Sequence, residues 1–455
     1  MDKRFLIIGR SRDDTRIFDT RDAFLFGRTI GDEHRNVYFD GLYQHLVLIF
    51  GKKGFGKSYT MAMLAEGLNS IEDAENISVI MIDTMATFAG LGEPAEEKLD
   101  LLEAYGLPPK GFDIRIYLPH AWLAALEEYG LAQTTLRSDR VAKLLIRPGD
   151  LEVFDWCQLF DLPRNAPSGL LLEKAVRSIK RISGRAFSLS DLRNRVNEVG
   201  AELGFQSNTI QAVENRLDAA EEWGLFSPEA TLLEQIAEGG RISILDLSYM
   251  SHITAGWTVR GLIVALLARQ ILRRRMIADR VERGEFGMLP DHIAQRVRFP
   301  RVWMMIDEAH QFLPRGHSVI SSEPLIEWVR QGRKPGLSLV LATQRPSRLH
   351  EDAISQGDVV ISHILTAKVD IDALRTLNQT WMKRGIDSYI VEMPKDKGNA
   401  IIFDDTNKEV LTIKVRVRQS REEGSTATAM TPEQFRKIKE QHEIRRLEEE
   451  LGFSR

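Results

Sequence analysis

Cysteine is almost absent from this chain of 455 residues, which contains Cys157 alone. A single thiol cannot form an intramolecular disulfide framework or a thiolate zinc cluster, so the disulfide-rich secreted classes are excluded. A reducing compartment fits this composition best. We therefore expect a cytoplasmic protein.

Long hydrophobic runs are absent as well. The most apolar stretch, GLIVALLA at 261–268, is bounded by Arg260 and Arg269 and is far too short to cross a bilayer. The N-terminal sequence MDKRFLIIGRSRDD lacks the hydrophobic region of a signal peptide. The sequence predicts no membrane partner.

The chain has no excess of positive charge that would indicate nucleic-acid binding, since its formal net charge is −4. This does not exclude DNA binding, because a ring can concentrate basic residues in its channel while its outer surface stays acidic. The proportions of hydrophobic (43%) and charged (28%) residues are typical of a globular protein, and the length allows two or three domains.

Short apolar segments alternate with helical patterns along much of the chain. Residues 1–44 contain several short β segments, and the buried-type strand HLVLIF (45–50) leads into a glycine-rich loop and a helix. Further strands are predicted at ISVIMID (77–83), FDIRIYLP (112–119), ISILDLS (242–248), VWMMID (302–307), LSLVLAT (337–343) and DVVISHIL (358–365). The alternation predicts an α/β fold with a mainly parallel sheet.

A helical insertion is predicted at 150–240, because three segments there place apolar residues at helical spacing. It would divide the core into 45–149 and 241–418. The core would end in three strands within SYIVEMPKDKGNAIIFDDTNKEVLTIKVRVRQ. A tail and helix are predicted at 419–455, where Thr431 begins a capping box.

The sequence GKKGFGKS, from Gly51 to Ser58, matches the phosphate-binding pattern G-x-x-x-x-G-K-[ST] and lies between a strand and a helix. Lys57 would contact the β- and γ-phosphates, and Ser58 would hold Mg²⁺. The cofactors predicted are therefore ATP and Mg²⁺. The predicted nucleotide-binding residues are Gly51, Lys52, Lys53, Gly54, Phe55, Gly56, Lys57, Ser58 and Tyr59.

The strand VWMMID ends in two carboxylates, which is typical of a Walker B motif. Asp307 would hold Mg²⁺, and Glu308 would polarise the attacking water. The glutamate favours an ATPase over a small GTPase. Gln344 follows the next apolar strand, where a polar side chain can sense the γ-phosphate.

The letters D-E-A-H at 307–310 also occur in DEAH-box helicases, but the motifs of that class do not follow here. The strand after them reads LATQRP rather than S-A-T, and the remaining chain is too short for a second domain of that type. No L-S-G-G-Q signature of an ABC ATPase occurs. We therefore predict that His310 either supports a neighbouring site residue or is a packing residue.

Taken together, the motifs resemble the HerA group of the HerA/FtsK superfamily of DNA-pumping ATPases. The resemblance runs from about His45 to Arg418 and rests on HLVLIFGKKGFGKS, VWMMIDEAHQFLP, RQGRKPGLSLVLATQRPSRL, ISQGDVVISHIL and MPKDKGNAIIF. It implies a RecA-like core in a homo-hexameric ring that translocates double-stranded DNA. It also implies that a neighbouring subunit's basic residue completes each site.

Arg333 and Arg315 match the family positions for that basic residue, and Arg345 is a third candidate; each would otherwise be a surface arginine. HerA proteins usually begin with a β-barrel, yet only a small β segment precedes His45 here, so docking of a NurA-like nuclease remains open. The segment after 77–83 also departs from the family pattern, which leaves the role of Asp83 open.

The predicted function is an ATP-driven DNA motor acting with a nuclease or another effector, in DNA repair or antiviral defence. Two alternatives stay open. One is an ATP-regulated ring that assembles an effector without translocation. The other is a P-loop kinase.

Overall fold

The computed structural model describes residues 5–31, 34–131, 139–252, 255–375 and 385–422. Thirteen strands of these residues form one sheet. They are β1 (Phe5–Ile8), β2 (Ala23–Thr29), β3 (Asn36–Asp40), β4 (Leu46–Phe50), β5 (Ile77–Asp83), β6 (Ile114–Pro119), β7 (Val141–Leu144), β8 (Ile242–Asp246), β9 (Arg301–Ile306), β10 (Leu337–Thr343), β11 (Val359–Ser362), β12 (Asn399–Asp404) and β13 (Glu409–Val415).

The strand order across the sheet is β1-β3-β2-β13-β12-β11-β4-β10-β9-β5-β8-β6-β7. All pairs from β11 to β7 are parallel, whereas β12 and β13 join the N-terminal strand β2 through antiparallel pairs. The predicted α/β fold with a mainly parallel sheet is confirmed. The N-terminal strands extend this same sheet.

The α-helices within the described residues cover both faces and connect the strands. They are α1 (Arg12–Phe18), α2 (Lys57–Leu68), α3 (Leu99–Glu103), α4 (His120–Glu127), α5 (Val153–Leu159), α6 (Pro167–Ser183), α7 (Leu189–Glu202), α8 (Ser207–Glu221), α9 (Leu233–Ile236), α10 (Gly256–Glu282), α11 (Asp291–Val297), α12 (Ser322–Gln331), α13 (Glu351–Gln356), α14 (Lys368–Arg375) and α15 (Ile386–Glu392). None of them is long and apolar enough to cross a membrane.

The sheet separates two hydrophobic cores because successive side chains of a strand point to opposite faces. Leu48 and Phe50 of β4 pack into the core beneath α5–α10 and α12. Val47 and Ile49 pack into the core that contains α2 and the N-terminal strands. The central strands are therefore buried on both faces, which explains their continuous apolar sequences.

The three amphipathic segments between β7 and β8 form α6, α7 and α8, which pack against one another. The predicted first C-terminal strand is wrong, since Ile386–Glu392 forms α15. Both edges of the β12–β13 pair are already occupied by β11 and β2, so no sheet edge remains there for another strand. The predicted helix from Thr431 lies outside the described residues.

A buried charge network joins the N-terminal strands to β4. The two ring N–H groups of His45 donate to Asp358 at 2.6 Å and to Asp40 at 3.1 Å. Arg10 donates from Nε to Asp40 at 2.6 Å, and both side chains are fully buried. Gly9 adopts φ +82°, and a Cβ there would lie 2.6 Å from the His45 ring. Glycine at this position therefore allows the backbone to approach the imidazole.

The His45 ring is stabilised in its charged form. Burial alone would lower its pKa, but the carboxylates of Asp358 and Asp40 raise the pKa of His45 to about 10. The reference pKa of histidine is 6.5. The stabilisation is therefore complete below pH 6.5 and is lost as the pH rises through about 10.

We predict that His45→Ala lowers the free energy of unfolding by about 2 kcal/mol or more, because Asp358 loses its ion-pair partner and the buried Asp40 keeps Arg10 alone as its ion-pair partner. Thermal unfolding at pH 6.5 would measure this loss against His317→Ala, a change at an exposed histidine. The difference between wild type and His45→Ala should shrink from pH 6.5 to pH 10. A difference that does not depend on pH would contradict a charged His45.

Candidate active site

The glycine-rich loop connects β4 to α2 at the carboxyl edge of the sheet. Gly54 and Gly56 adopt φ values of +81° and +114°, a region that glycine enters without steric cost. The loop is held from one side by a hydrogen bond from the N–H of Lys52 to the carbonyl of Ile364, at 2.8 Å. Helix α2 begins at Lys57, so its first N–H groups and its dipole favour an anion at the loop.

Lys57 is buried at the start of α2, with 6% of its surface exposed. Its Nζ lies 3.5 Å from the carbonyl of Lys52. Burial lowers the pKa of Lys57, and the nearby carboxylates of Glu308 and Asp307 partly oppose this shift. A buried ammonium in this position is stabilised by further negative charge, as a phosphate would supply.

Ser58 and Asp307 approach each other although they are far apart in sequence. The Ser58 hydroxyl donates to an Asp307 carboxylate oxygen at 3.3 Å. Asp307 directly follows β9 and is 3% exposed, and burial raises its pKa. Hydroxyl and carboxylate oxygens are ligands that suit Mg²⁺, which usually keeps further water and phosphate ligands. The two residues therefore fit the predicted magnesium site.

Glu308 adopts a left-handed backbone conformation with φ +51°. Its Oε1 accepts a hydrogen bond from Nε2 of Gln344 at 2.8 Å. The other oxygen, Oε2, is buried and has no hydrogen-bond partner among the described residues. Burial, and then the charge of Asp307, raises the pKa of Glu308. One oxygen is thus anchored, and the other can accept a proton.

The structure therefore brings together five of the residues singled out in the sequence. They are Lys57, Ser58, Asp307, Glu308 and Gln344. Strand β10, which Gln344 directly follows, lies between β4 and β9 in the sheet. The glycine-rich loop follows β4, and Asp307 and Glu308 follow β9. This order places Gln344 beside Glu308.

Sequence reasoning missed His363, which packs behind the glycine-rich loop. Its Nδ1 donates to the carbonyl of Asn399 at 2.9 Å, and its Nε2 accepts from the Thr60 hydroxyl at 2.9 Å. Burial lowers the pKa of His363 to about 4, so the ring is neutral. A Cβ on Gly51 would lie 2.8 Å from the Cβ of His363, so Gly51 is needed for this packing. The sequence signal is a histidine within the apolar run DVVISHIL.

Asp83 ends β5 next to Asp246, which ends β8. Burial, and then the negative charge of Asp246, raises the pKa of Asp83 to about 7. Its oxygens accept three backbone N–H groups, from Met85 at 3.1 Å, Thr87 at 2.8 Å and Phe88 at 3.1 Å. Asp83 therefore shapes the loop that follows β5.

Tyr59 makes its polar contacts with other parts of the chain. Its hydroxyl accepts the backbone N–H of Arg418 at 2.6 Å, and the Lys98 ammonium lies 5.3 Å from its ring centre. Two turns further along α2, the buried Glu66 accepts hydrogen bonds from the side chains of Arg416 and Arg418. Helix α2 thus holds the segment that follows β13.

Arg333 lies near the amino ends of the parallel strands, whereas the other site residues lie at their carboxyl ends. It is exposed and precedes β10, whereas Gln344 follows that strand. The seven residues of β10 separate them by roughly 20 Å at 3.3 Å per residue. The carbonyls of Pro335 and Lys334 in the same turn accept hydrogen bonds from Arg275 and Arg283 of the α10 region. Arg333 therefore cannot reach the phosphate loop of its own chain.

The other two arginines lie at the carboxyl side of the sheet. Arg315 forms an ion pair with Glu351 at 2.7 Å, in which both side chains are exposed. Arg345 is exposed and close enough to Glu308 for its charge to act against the rise in that group's pKa. Arg345 is therefore the candidate nearest to Glu308 within one chain.

Comparison with known proteins gives a family and several distant relatives. The family model described as "Helicase HerA, central domain" matches residues 24–268, which is more than half of the chain. A probable DNA double-strand break repair helicase HerA from Methanocaldococcus jannaschii is 27% identical over 35% of this chain and 31% of that protein. The DNA double-strand break repair helicase HerA of Pyrococcus furiosus is 25% identical over 27% of this chain and 24% of its own.

Among solved structures, VirB4 of Thermoanaerobacter pseudethanolicus is similar with 14% identity and a TM-score of 0.49, covering 87% of this chain and 97% of that one. The matches to the two curated relatives span less than a third of the length of those proteins. The family match covers the glycine-rich loop, β5 and about half of α10. The chain belongs to the HerA helicase central-domain family, a HerA-type member of the HerA/FtsK superfamily.

Proposed function

We propose that this protein is an ATPase that hydrolyses Mg²⁺-bound ATP at the carboxyl edge of its sheet. The observation that supports the proposal most directly is the environment of the two carboxylate oxygens of Glu308. Its Oε1 is anchored by Gln344 at 2.8 Å, while Oε2 is buried and has no hydrogen-bond partner among the described residues. A carboxylate so placed beside Lys57 and Asp307 suits the activation of a water molecule.

The residues divide the work of hydrolysis. The loop N–H groups and Lys57 bind and orient the phosphates, and Glu308 accepts a proton from the attacking water at Oε2. Gln344 keeps Glu308 in place and can sense the γ-phosphate. Ser58 and Asp307 would hold Mg²⁺, which neutralises phosphate charge when bound. The raised pKa of Glu308 makes it a stronger base than an exposed glutamate.

We further propose that the ATPase works as a homo-hexameric ring that translocates double-stranded DNA. The names of two relatives, which are DNA double-strand break repair helicases, support a DNA substrate. The position of Arg333 supports a ring, because this exposed arginine is too far from its own site and suits a neighbouring one. A ring would place one site at each subunit boundary. DNA contacts of such a motor would be made mainly to phosphates.

A motor of this kind would act in the cytoplasm with a separate effector, such as a NurA-like nuclease. Its role would be DNA end processing or antiviral defence. The DNA dependence of ATP turnover distinguishes this motor from a ring that only assembles an effector.

We predict that Lys57→Ala weakens ATP binding by about tenfold or more, because a buried charge-assisted contact to the phosphates is lost. Titration with a fluorescent ATP analogue would measure the change. Lys174→Ala, at an exposed lysine of α6, is the matched control. Unchanged affinity in Lys57→Ala would contradict the placement of the nucleotide.

We predict that Glu308→Gln binds ATP with nearly normal affinity but lowers turnover by about 100-fold or more, since the amide cannot accept the proton. The assay compares phosphate release with and without long double-stranded DNA. DNA should raise turnover of the wild type and leave the variant inactive. Wild-type turnover that ignores DNA would favour the assembly function over the motor.

We predict that Arg333→Ala lowers turnover by about 10³-fold without loss of ATP binding, because the arginine stabilises charge that develops in the transition state. The site affected should belong to the neighbouring subunit. Mixing Arg333→Ala subunits with Lys57→Ala subunits tests this directly. Some boundaries in the mixed ring then combine an intact Lys57 with an intact Arg333.

Turnover should return to about a quarter of the wild-type value in an equal mixture, if subunits assort at random and sites act independently. Each variant alone should stay inactive. A mixture as inactive as the separate variants, in rings shown to contain both, would contradict action of Arg333 on a neighbour.

A further inference from the structure

His310 lies between the water-polarising glutamate and the end of β10. Its Nδ1 is 2.9 Å from the Thr343 hydroxyl and 3.4 Å from Oε2 of Glu308. Only 13% of the side chain of His310 is exposed, as is 13% of that of Glu308. One ring nitrogen is thus hydrogen-bonded to Thr343 and lies close to a second acceptor, Oε2 of Glu308.

The position of the ring proton decides whether the carboxylate can be bound. Burial, and then the charges of Arg345 and Arg348, lowers the pKa of His310 to about 4, so a neutral ring carries one proton. With that proton on Nε2, Nδ1 can only accept, and its partner is the Thr343 hydroxyl. With the proton on Nδ1, the ring can donate to the Thr343 oxygen or, after a small rotation, to Oε2 of Glu308, which can only accept and has no hydrogen-bond partner among the described residues.

We propose that His310 is a positioning residue that controls Glu308 by exchanging these two hydrogen bonds. When Nδ1 accepts from Thr343, Oε2 is free to take a proton from water. When Nδ1 donates to Oε2, the carboxylate is occupied at both oxygens, since Gln344 already binds Oε1. The inference rests on the proposed ATPase function and adds a control on its catalytic glutamate.

Thr343 connects this exchange to the segment that follows β10. Its hydroxyl oxygen also accepts the backbone N–H of Arg345 at 3.0 Å. Arg345 and Arg348 of that segment are exposed cations. A phosphate backbone that binds them would displace the Arg345 N–H and so alter the hydrogen bond between Thr343 and His310. DNA contact would thereby change the fraction of Glu308 that is free to act.

The test is a double-mutant cycle on ATP turnover with and without long double-stranded DNA. We expect His310→Ala to raise kcat without DNA by about threefold or more, because Oε2 of Glu308 can no longer be occupied by the ring. Thr343→Val removes the competing partner of the ring with little change of volume and should lower kcat about tenfold. The double variant should behave like His310→Ala, because the loss of the Thr343 hydroxyl acts on Glu308 only through the ring.

Three further measurements separate positioning from a structural role. The KM for ATP and the melting temperature should stay near the wild-type values in both single variants. Thr343→Ser should restore kcat, since it keeps the hydroxyl. His317→Ala should keep wild-type kcat, because that histidine is exposed. If His310→Ala does not fold, His310→Phe, which fills the space without a hydrogen-bond donor, should show the same rise in kcat.

The assignment is overturned if His310→Ala keeps or lowers the wild-type kcat without DNA, if the double variant keeps the loss of Thr343→Val, or if Thr343→Ser fails to restore turnover. A loss in Thr343→Val that comes with an equal rise in KM or a lower melting temperature would also overturn it. Wild-type protein that does not hydrolyse ATP would refute the proposed function itself. Normal wild-type turnover with an unaffected His310→Ala variant refutes only the role of His310.

Discussion

The parallel register of β4, β10 and β9 is the constraint on which the site depends. Thr343 pairs with Phe50 across one boundary, and Leu341 pairs with Ile306 across the other. These pairings bring the glycine-rich loop, Gln344 and the Asp307–Glu308 pair to the same edge. A slip of one residue would reverse the faces of an entire strand, and the close packing of its side chains in the two cores opposes it.

Buried charges hold the distant parts of the chain against this core. His45 connects β4 to Asp40 of the N-terminal strands and to Asp358 before β11. Glu66 of α2 accepts hydrogen bonds from Arg416 and Arg418 after β13. Removing one member of such a network leaves a buried charge without compensation, so these contacts specify where both segments lie.

The charged side chains of the site are buried and are only partly compensated by one another. Burial lowers the pKa of Lys57 and raises those of Asp307 and Glu308, so each charged form is costly there. Groups held in this way act strongly on charge that develops beside them, because little water screens them. Nucleotide phosphates, a metal ion and an arginine from outside the chain would all change this balance. Arg333 lies at the other end of β10, roughly 20 Å from Gln344, so it brings no charge to the site of its own chain.

Many elements of the fold and of the site can be predicted from the sequence alone, because they depend on residues that are neighbours in the chain. Continuous apolar segments predicted the central strands, and the glycines before Lys57 predicted the phosphate loop. The C-terminal segment SYIVE was misread as a strand, since its residues favour β structure but both sheet edges nearby were already paired. The order of the strands in the sheet, which places Gln344 beside Glu308, could not be predicted from the spacing of motifs in the sequence. The packing of His363 behind Gly51 and the two partners of His310 depend on contacts between residues far apart in sequence. Local sequence thus determined the elements and the chemistry of the loop, whereas only the tertiary structure decided which side chains meet, because those distances arise from packing the whole sheet.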